Sequence, residues 1–251
     1  MPRFGVKEVA NVMFQNLVTG KIDLYLDTLK MSNLENAVEN VYATGGQGGG
    51  RLVGWDFGRT ANFVIQDALL NPKAIAMQAG TELEKKVETI YERIFTATTD
   101  DGNGNSQITL EHTPDAGSIQ IFKSSDGYAQ EEDVPNASIT VDGSTITVPD
   151  AALPVGSTVI VYYTWQSTSN AEVITIKSDK FGGFYRVIGK TFWRNEATGL
   201  DEKVQIVIPK AKIVSNFTLT MQPDGDPSVF DFNLDVFKDP TSTDMVKLIR
   251  Y

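Results

Sequence analysis

The 251-residue chain has no cysteine and a single histidine. Without cysteine there is no disulfide, no thiol nucleophile and no cysteine metal site. A histidine-based triad would rest entirely on His112, which sits beside Thr113-Pro114 with no nucleophile motif anywhere in the chain. It reads as a turn or surface residue, and a hydrolase has no footing here. Long apolar runs are missing too, so no segment has the length of a membrane-spanning helix. The N-terminal MPRFGVKEVANVMF lacks the apolar stretch and small-residue cleavage site of a secretory signal. These absences lead us to expect a soluble protein made in a cytoplasm. A basic surplus is also lacking: the net charge is −10, which excludes a nucleic-acid footprint.

The negative charge is concentrated in one stretch. Between Asp100 and Asp150 stand ten acidic residues (Asp100, Asp101, Glu111, Asp115, Asp126, Glu131, Glu132, Asp133, Asp142 and Asp150), with Lys123 the only basic one. That segment carries −9 and the remainder −1. In the same region the text becomes a series of short β patterns, QITLEH, SIQIFK, ASITVDG, STITVPD and STVIVYYTW, separated by Pro, Gly, Asp and Ser. We expect an acidic β-sandwich module over 107–168, inserted into a main domain formed by 1–106 and 169–251.

The main domain centres on its C-terminal part, from Gly182 to Lys238. GGFYRVIGKTFWR, EKVQIVIPKAKI, NFTLTMQ and VFDFNLDVFKD each alternate apolar and polar residues, the period-two signature of a strand with one dry face. Turns are expected at Asn195–Gly199 and Pro223–Pro227. Nearer the N-terminus, Thr19-Gly20-Lys21 reads as a hairpin turn, with Ile22, Leu24 and Leu26 sharing a face. Gly45–Gly50 holds five glycines in six residues and reads as a loop. It lacks the register of a phosphate cradle, so a loop that orders against a neighbouring subunit is the better reading. A strand over 60–66 leads to the one strong helix signal, DALLNPKAIAMQAG, with Asn71 as cap, Pro72 in the first turn and Gly80 as stop. Residues 82–97 fit two readings. Leu83, Val87, Ile90, Tyr91 and Ile94 form a helical stripe, with Thr81 and Glu84 as a capping box, but β-branched and aromatic residues fill the second half. We read a strand over 87–97.

Candidate sites give no chemistry. Asp101, Asn103 and Asn105 have the alternate spacing of a calcium loop, but Ser106 replaces the required glycine and His112 the closing glutamate. A plain hairpin turn is the better reading. Asp231, Asn233 and Asp235 share one strand face about 7 Å apart per step and read as a solvated or subunit-facing row. Two sequons, at Asn136 and Asn216, have no meaning without secretion. No catalytic, cofactor-binding or metal-binding residue is assigned.

The phrases VANVMFQNLVTGKIDLYLDTLK, GGQGGGRLVGWDFGRTANFVIQDALLNPKAIAMQAG, GGFYRVIGKTFWRNEATGLDEKVQIVIPKAKI and NFTLTMQPDGDPSVFDFNLDVFKD together resemble a bacteriophage major tail tube protein. The likeness covers most of the chain outside 107–168. It implies a mainly β fold: a tail-tube-like antiparallel β-sandwich or barrel with a flanking α-helix, carrying an inserted small Ig-like β-sandwich. It also implies a non-enzymatic virion protein, assembled in the host bacterial cytoplasm into stacked hexameric rings, with the phage DNA passing through the lumen unread. Its partners would be itself and other tail proteins (tape measure, baseplate or tail terminator, or a sheath), with no membrane and no cofactor. A long loop bridging one ring to the next would correspond to Leu34–Val53. Because the chain outside the module is nearly neutral, an acidic lumen would need selective placement of carboxylates. The alternatives are another virion component, such as a capsid decoration or tail-completion protein, or a carbohydrate-binding module using Tyr128, Tyr162, Tyr163 or Trp165.

Overall fold

The computed structural model describes residues 2–224 and 229–251. The chain divides into two compact units, one formed by Met1–Leu83 with Ile174–Tyr251 and the other by Glu84–Val173. In chain order the first unit supplies β1 (Phe4–Val6), β2 (Asn11–Asn16), β3 (Ile22–Leu26), β4 (Leu29–Gly45), β5 (Gly50–Asp67) and helix α1 (Pro72–Ala79). The second unit follows with β6 (Glu84–Lys85), β7 (Thr89–Ala97), β8 (Thr99–Asp100), β9 (Asn105–Thr109), β10 (Gln120–Lys123), β11 (Glu132–Val134), β12 (Thr140–Asp142), β13 (Thr145–Pro149), β14 (Thr158–Gln166) and β15 (Glu172–Val173). The chain then returns to the first unit as β16 (Phe184–Asn195), β17 (Asp201–Ile213), β18 (Phe230–Phe237) and β19 (Lys247–Arg250). The fold is mainly β, with antiparallel sheets and, among the described residues, one α-helix, as the sequence led us to expect.

The sheet of the first unit runs β3-β2-β16-β17-β18-β5-β4, with β1 beside β16 and β19 beside β17. Its end strands, β3 and β4, are joined only by Asp27 and Thr28. Three residue steps reach at most about 11 Å, so the sheet must fold back until its two ends meet. The core shows the result: Phe14 of β2 lies 5.5 Å from Phe232 of β18, although β16 and β17 separate those strands along the sheet. Ser32 of β4 accepts a hydrogen bond from the Ala10 amide at 3.0 Å, tying the two ends together. At the join, buried Asp67 accepts from the Thr28 hydroxyl and from the Leu69 amide, so its carboxylate is not left unpaired. Phe230, Phe232, Leu234 and Val236 point inward from β18 while Asp231 and Asp235 stay exposed. In the β2–β3 hairpin a bulge follows Phe14, leaving Leu24 and Leu26 buried but putting Ile22 outside, contrary to the expected shared face.

Helix α1 closes one end of this core with Ala74 and Met77. Asn71 Oδ1 accepts from the Lys73 and Ala74 amides, Pro72 opens the first turn, and Gly80 ends the helix at φ 71°. An added Cβ on Gly80 would lie 2.2 Å from the Phe181 carbonyl oxygen, so glycine is also what lets the returning chain cross here. Buried Gln78 donates through Nε2 to the carbonyls of Val214, Asn216 and Asp231. This corrects one expectation. NFTLTMQ, at Asn216–Gln222, belongs to no sheet, and β17 pairs directly with β18. Near its start, carbonyls that a ladder would have used are taken by the Gln78 side chain. Of the turn expected at Pro223–Pro227, residues 225–227 lie outside the described residues.

The second unit is a sandwich of two four-stranded sheets, β11-β10-β14-β7 and β12-β13-β9-β8. Ile108, Ile121, Ile146, Val148, Val159 and Val161 fill the space between them. Residues 82–97 contain no helix, and Thr89–Ala97 is strand within the span read as one from the sequence: β7 pairs with β14 over nine residues, and Tyr91 of the would-be helical stripe is 84% exposed. A two-stranded ribbon gathers the ends of the unit, with Lys85 opposite Glu172 and Glu84 opposite Val173. The unit contains Lys85, Lys86, Arg93 and Lys123 against 14 carboxylates. Taking these 4 and 14 from the chain's 22 basic and 32 acidic residues leaves 18 of each on the first unit. The whole net charge therefore sits on Glu84–Val173.

Candidate assembly surface

Leu34–Val53 is not a loop. β4 and β5 run for 17 and 18 residues as one antiparallel ribbon, and only Gly46–Gly49 form its turn. Gly46, Gly48 and Gly49 take φ of 78°, 86° and 65°, the left-handed region that a non-glycine residue enters only at a cost. From Asn36, opposite Ala61, to Gly45, opposite Gly50, the ribbon extends nine steps beyond the core. At a strand rise of about 3.4 Å that is an arm about 30 Å long. All residues of β5 from Gly50 to Thr60 are exposed, and β4 from Glu35 onward is exposed or half-buried.

The two faces of the arm differ. Opposed residues of an antiparallel pair share a face. Glu39 opposes Phe57, Val41 opposes Trp55, and Ala43 opposes Val53. Leu52 lies on the same side, its Cδ1 3.2 Å from where a Gly45 Cβ would be. This face is a nearly unbroken apolar strip in which Val41, Leu52, Val53, Trp55 and Phe57 are each at least half exposed. The other face carries Asn40 opposite Asp56, Tyr42 opposite Gly54, and Thr44 opposite Arg51. There the Arg51 guanidinium lies 3.9 Å from the Tyr42 ring centroid, and the ring covers Gly54, where a Cβ would meet it at 3.0 Å. Tyr42, Gly54 and Arg51 thus brace the polar face, leaving the apolar face free. Monomeric proteins rarely expose contiguous apolar strips of this kind unless a partner covers them. The arm was missed in the sequence as a surface. The signal that could have found it is the pairing of V-Y-A with V-G-W around a glycine turn.

The sequence candidates fall elsewhere. Asp231, Asn233 and Asp235 line the outer face of β18, where Asp235 pairs in register with Lys212 and with Asn62. Asp101 accepts from the Asn103 amide and from both the amide and the side chain of Asn105, so it is consumed by its own turn. Those hydrogen bonds hold its carboxyl below the usual range, with the Asn105 side chain the largest cause. Among the described residues no three His, Cys, Asp or Glu side chains gather as a metal set. His112 stacks on Trp165 with ring centroids 3.6 Å apart. The four aromatics of the carbohydrate reading do not share a face. Tyr163 is 2% exposed in the core and Trp165 packs against that core, whereas Tyr162 points out of the opposite side of β14 and Tyr128 is 88% exposed in a loop.

No helix among the described residues is long and apolar enough to cross a membrane. No curated protein matches the chain. Residues 4–250, nearly its whole length, match the model of the YomU/Tube protein family.

Proposed function

The chain belongs to the YomU/Tube protein family, a family of phage tail tube structural proteins, and on that footing we propose that copies of it stack as hexameric rings into a conduit for the phage genome. The observation that carries this reading is the arm, a two-stranded ribbon about 30 Å long with one apolar face exposed. Burying one large apolar side chain contributes about 1.5–3 kcal/mol. Five such residues on the arm, each already about half covered, give on the order of 5 kcal/mol, which offsets part of the cost of association. A repeated contact of this kind, from each copy to the next, builds rings and stacks without any further site.

The charge distribution suits a conduit. With 18 basic and 18 acidic residues, the first unit has no net attraction for a phosphate backbone, and DNA passes it without sequence-specific contacts. The acidic second unit is a separate module carried by each subunit. The protein works with other tail proteins in the virion tail, is assembled in the host cytoplasm, and needs no cofactor and no catalysis. Purified protein at rising concentration, viewed by negative-stain microscopy and followed by sedimentation, is expected to give rings or tubes of one diameter. Trp55→Ser with Phe57→Ser should shift the chain to monomer while its melting is retained. A wild-type chain that stays monomeric, even with tail-initiating partners added, refutes the reading.

A further inference from the structure

Asn103-Gly104 is the one asparagine–glycine pair in the chain. Both residues are exposed, in the turn between β8 and β9. In such a pair the glycine backbone nitrogen can attack the asparagine side-chain carbon and close a succinimide ring, and glycine has no Cβ to shield that nitrogen. Whether the reaction runs in a folded protein depends on which groups the fold has already tied up. In this turn both the leaving group and the nucleophile are loose. Asn103 Nδ2 reaches only the Asp101 carbonyl, at 3.4 Å, beyond the usual range for such a bond. The Gly104 amide donates to nothing among the described residues. A Cβ built on Gly104, at φ 84°, would meet nothing within 4 Å, so the turn has room to close the ring.

Similar pairs in the same unit are held where this one is not. The Gly102 amide donates to Asp100 Oδ1 at 2.8 Å, and the Gly127 amide to Ser124 Oγ at 3.0 Å. The aspartates before those glycines accept several hydrogen bonds each, Asp101 from Asn103 and Asn105, Asp126 from Tyr128 and Ala129. A carboxylate held ionised in this way offers no neutral leaving group. Asn105-Ser106 is closed off as well, because Asn105 Nδ2 donates to Asp101 Oδ2 at 2.7 Å and Ser106 is buried. We infer that Asn103 is a site of spontaneous deamidation in the folded protein. The Gly104 nitrogen, losing its proton to solvent, bonds to Asn103 Cγ; the Cγ–Nδ2 bond breaks, and ammonia leaves with a proton from solvent. Water then opens the succinimide at either carbonyl, giving aspartate or isoaspartate at 103 with no electron transferred. Both products place a new carboxylate beside Asp100 and Asp101, against like charge. Isoaspartate also routes the backbone through Cβ and Cγ, a longer path that takes Asn105 out of register with Asp101. The turn that Asp101 organises therefore loosens as the protein ages.

The test incubates the full wild-type chain at mildly alkaline pH, natively and in parallel in urea, and reads proteolytic peptides by mass spectrometry. Exchange of the side-chain NH2 for OH is expected at Asn103, as paired aspartate and isoaspartate peptides. In the native chain it should run about tenfold faster than at Asn105. Native and unfolded chains should react at Asn103 at comparable rates. Conversion at Asn103 no faster than at Asn105, or confined to the urea sample, overturns the inference, because the fold then shields the pair. Scanning calorimetry reads the consequence for the turn. The second unit of aged wild-type chain should melt below that of fresh chain. Asn103→Gln, whose longer side chain closes the ring poorly, should show no exchange at 103 and keep its melting temperature through the same incubation. Fully converted chain that melts like fresh chain overturns the loosening of the turn.

Discussion

Gly46→Val, Gly48→Val and Gly49→Val, made together, test the arm at its tip. All three glycines have positive φ, at 78°, 86° and 65°, and an added Cβ at any of them meets nothing within 4 Å. The perturbation is therefore backbone strain without a clash. A side chain forced into the left-handed region costs about 1–2 kcal/mol per residue, so the triple variant carries about 3–6 kcal/mol at one turn. A two-stranded ribbon is marginal by itself, and that much strain is enough to open the tip and release the Gly45–Gly50 and Thr44–Arg51 pairs behind it. No core residue is touched, since the buried part of β5 begins at Ala61. The melting temperature and circular dichroism of the subunit should therefore stay close to wild type, while tube growth by microscopy and pelleting falls sharply. Normal growth would show that tip geometry does not matter to assembly. A subunit that loses several degrees of melting temperature would show that the arm supports the fold of one chain, and the reasoning about a free arm would fail.

Gly80→Ala should destabilise the first unit by about 2–5 kcal/mol, combining left-handed strain with overpacking against the Phe181 backbone. Gly20→Ala, at φ 70° in open space, should cost only about 1–2 kcal/mol; equal losses in urea titrations would mean that the close approach at Gly80 relaxes freely. Replacing Glu84–Val173 by a short linker should leave a folded, assembling chain that is net neutral and less soluble, read by melting and light scattering; an insoluble chain that refolding cannot recover would show that the two units are not separable. The second unit should lose stability at low pH: hydrogen bonds hold the carboxyls of Asp101, Asp126 and Glu131 below their ordinary range. Groups with a depressed pKa stabilise above the unfolded value and lose that contribution as pH falls through the folded one, so melting of the unit should drop below about pH 4. A flat profile between pH 5 and pH 2, on scales set by ordinary carboxylates, would count against those hydrogen bonds.

Some elements could be read locally and others could not. Helix α1 was readable in full because Asn71, Pro72 and Gly80 act within one turn of the residues they terminate. NFTLTMQ was misread because alternation reports what a segment is able to pair with, not whether a partner arrives. Here Gln78, well over a hundred residues away, takes the Asn216 carbonyl at the start of the segment. The arm was missed because its alternation is broken twice. Register shifts between Ala37 and Glu39 and between Ala43 and Thr44 each place an extra residue on β5, near Gly58 and Leu52. Apolar residues that share a face in space therefore lose their period of two in the text. For residues 82–97 the deciding fact was β14, about 70 residues downstream; that pairing also places β7 in the second unit. The charge concentration was visible at once, since it needs only counting.

The ribbon of β6 and β15 has a consequence for how the first unit folds. That unit is interrupted by about 90 residues, and its two halves must find each other across the gap. Closing a disordered loop of that size, rather than one of about 5 residues, costs about 2–3 kcal/mol in chain entropy, from the logarithmic dependence on length. Once the sandwich has formed, with Glu84 opposite Val173, the two exits of the interruption stand one ladder spacing apart. The rest of the chain then experiences the long interruption as a tight turn. Folding of the acidic module ahead of its host would thus lend the host those 2–3 kcal/mol, and inserts of very different size could occupy this position at nearly equal cost provided their termini meet in the same way.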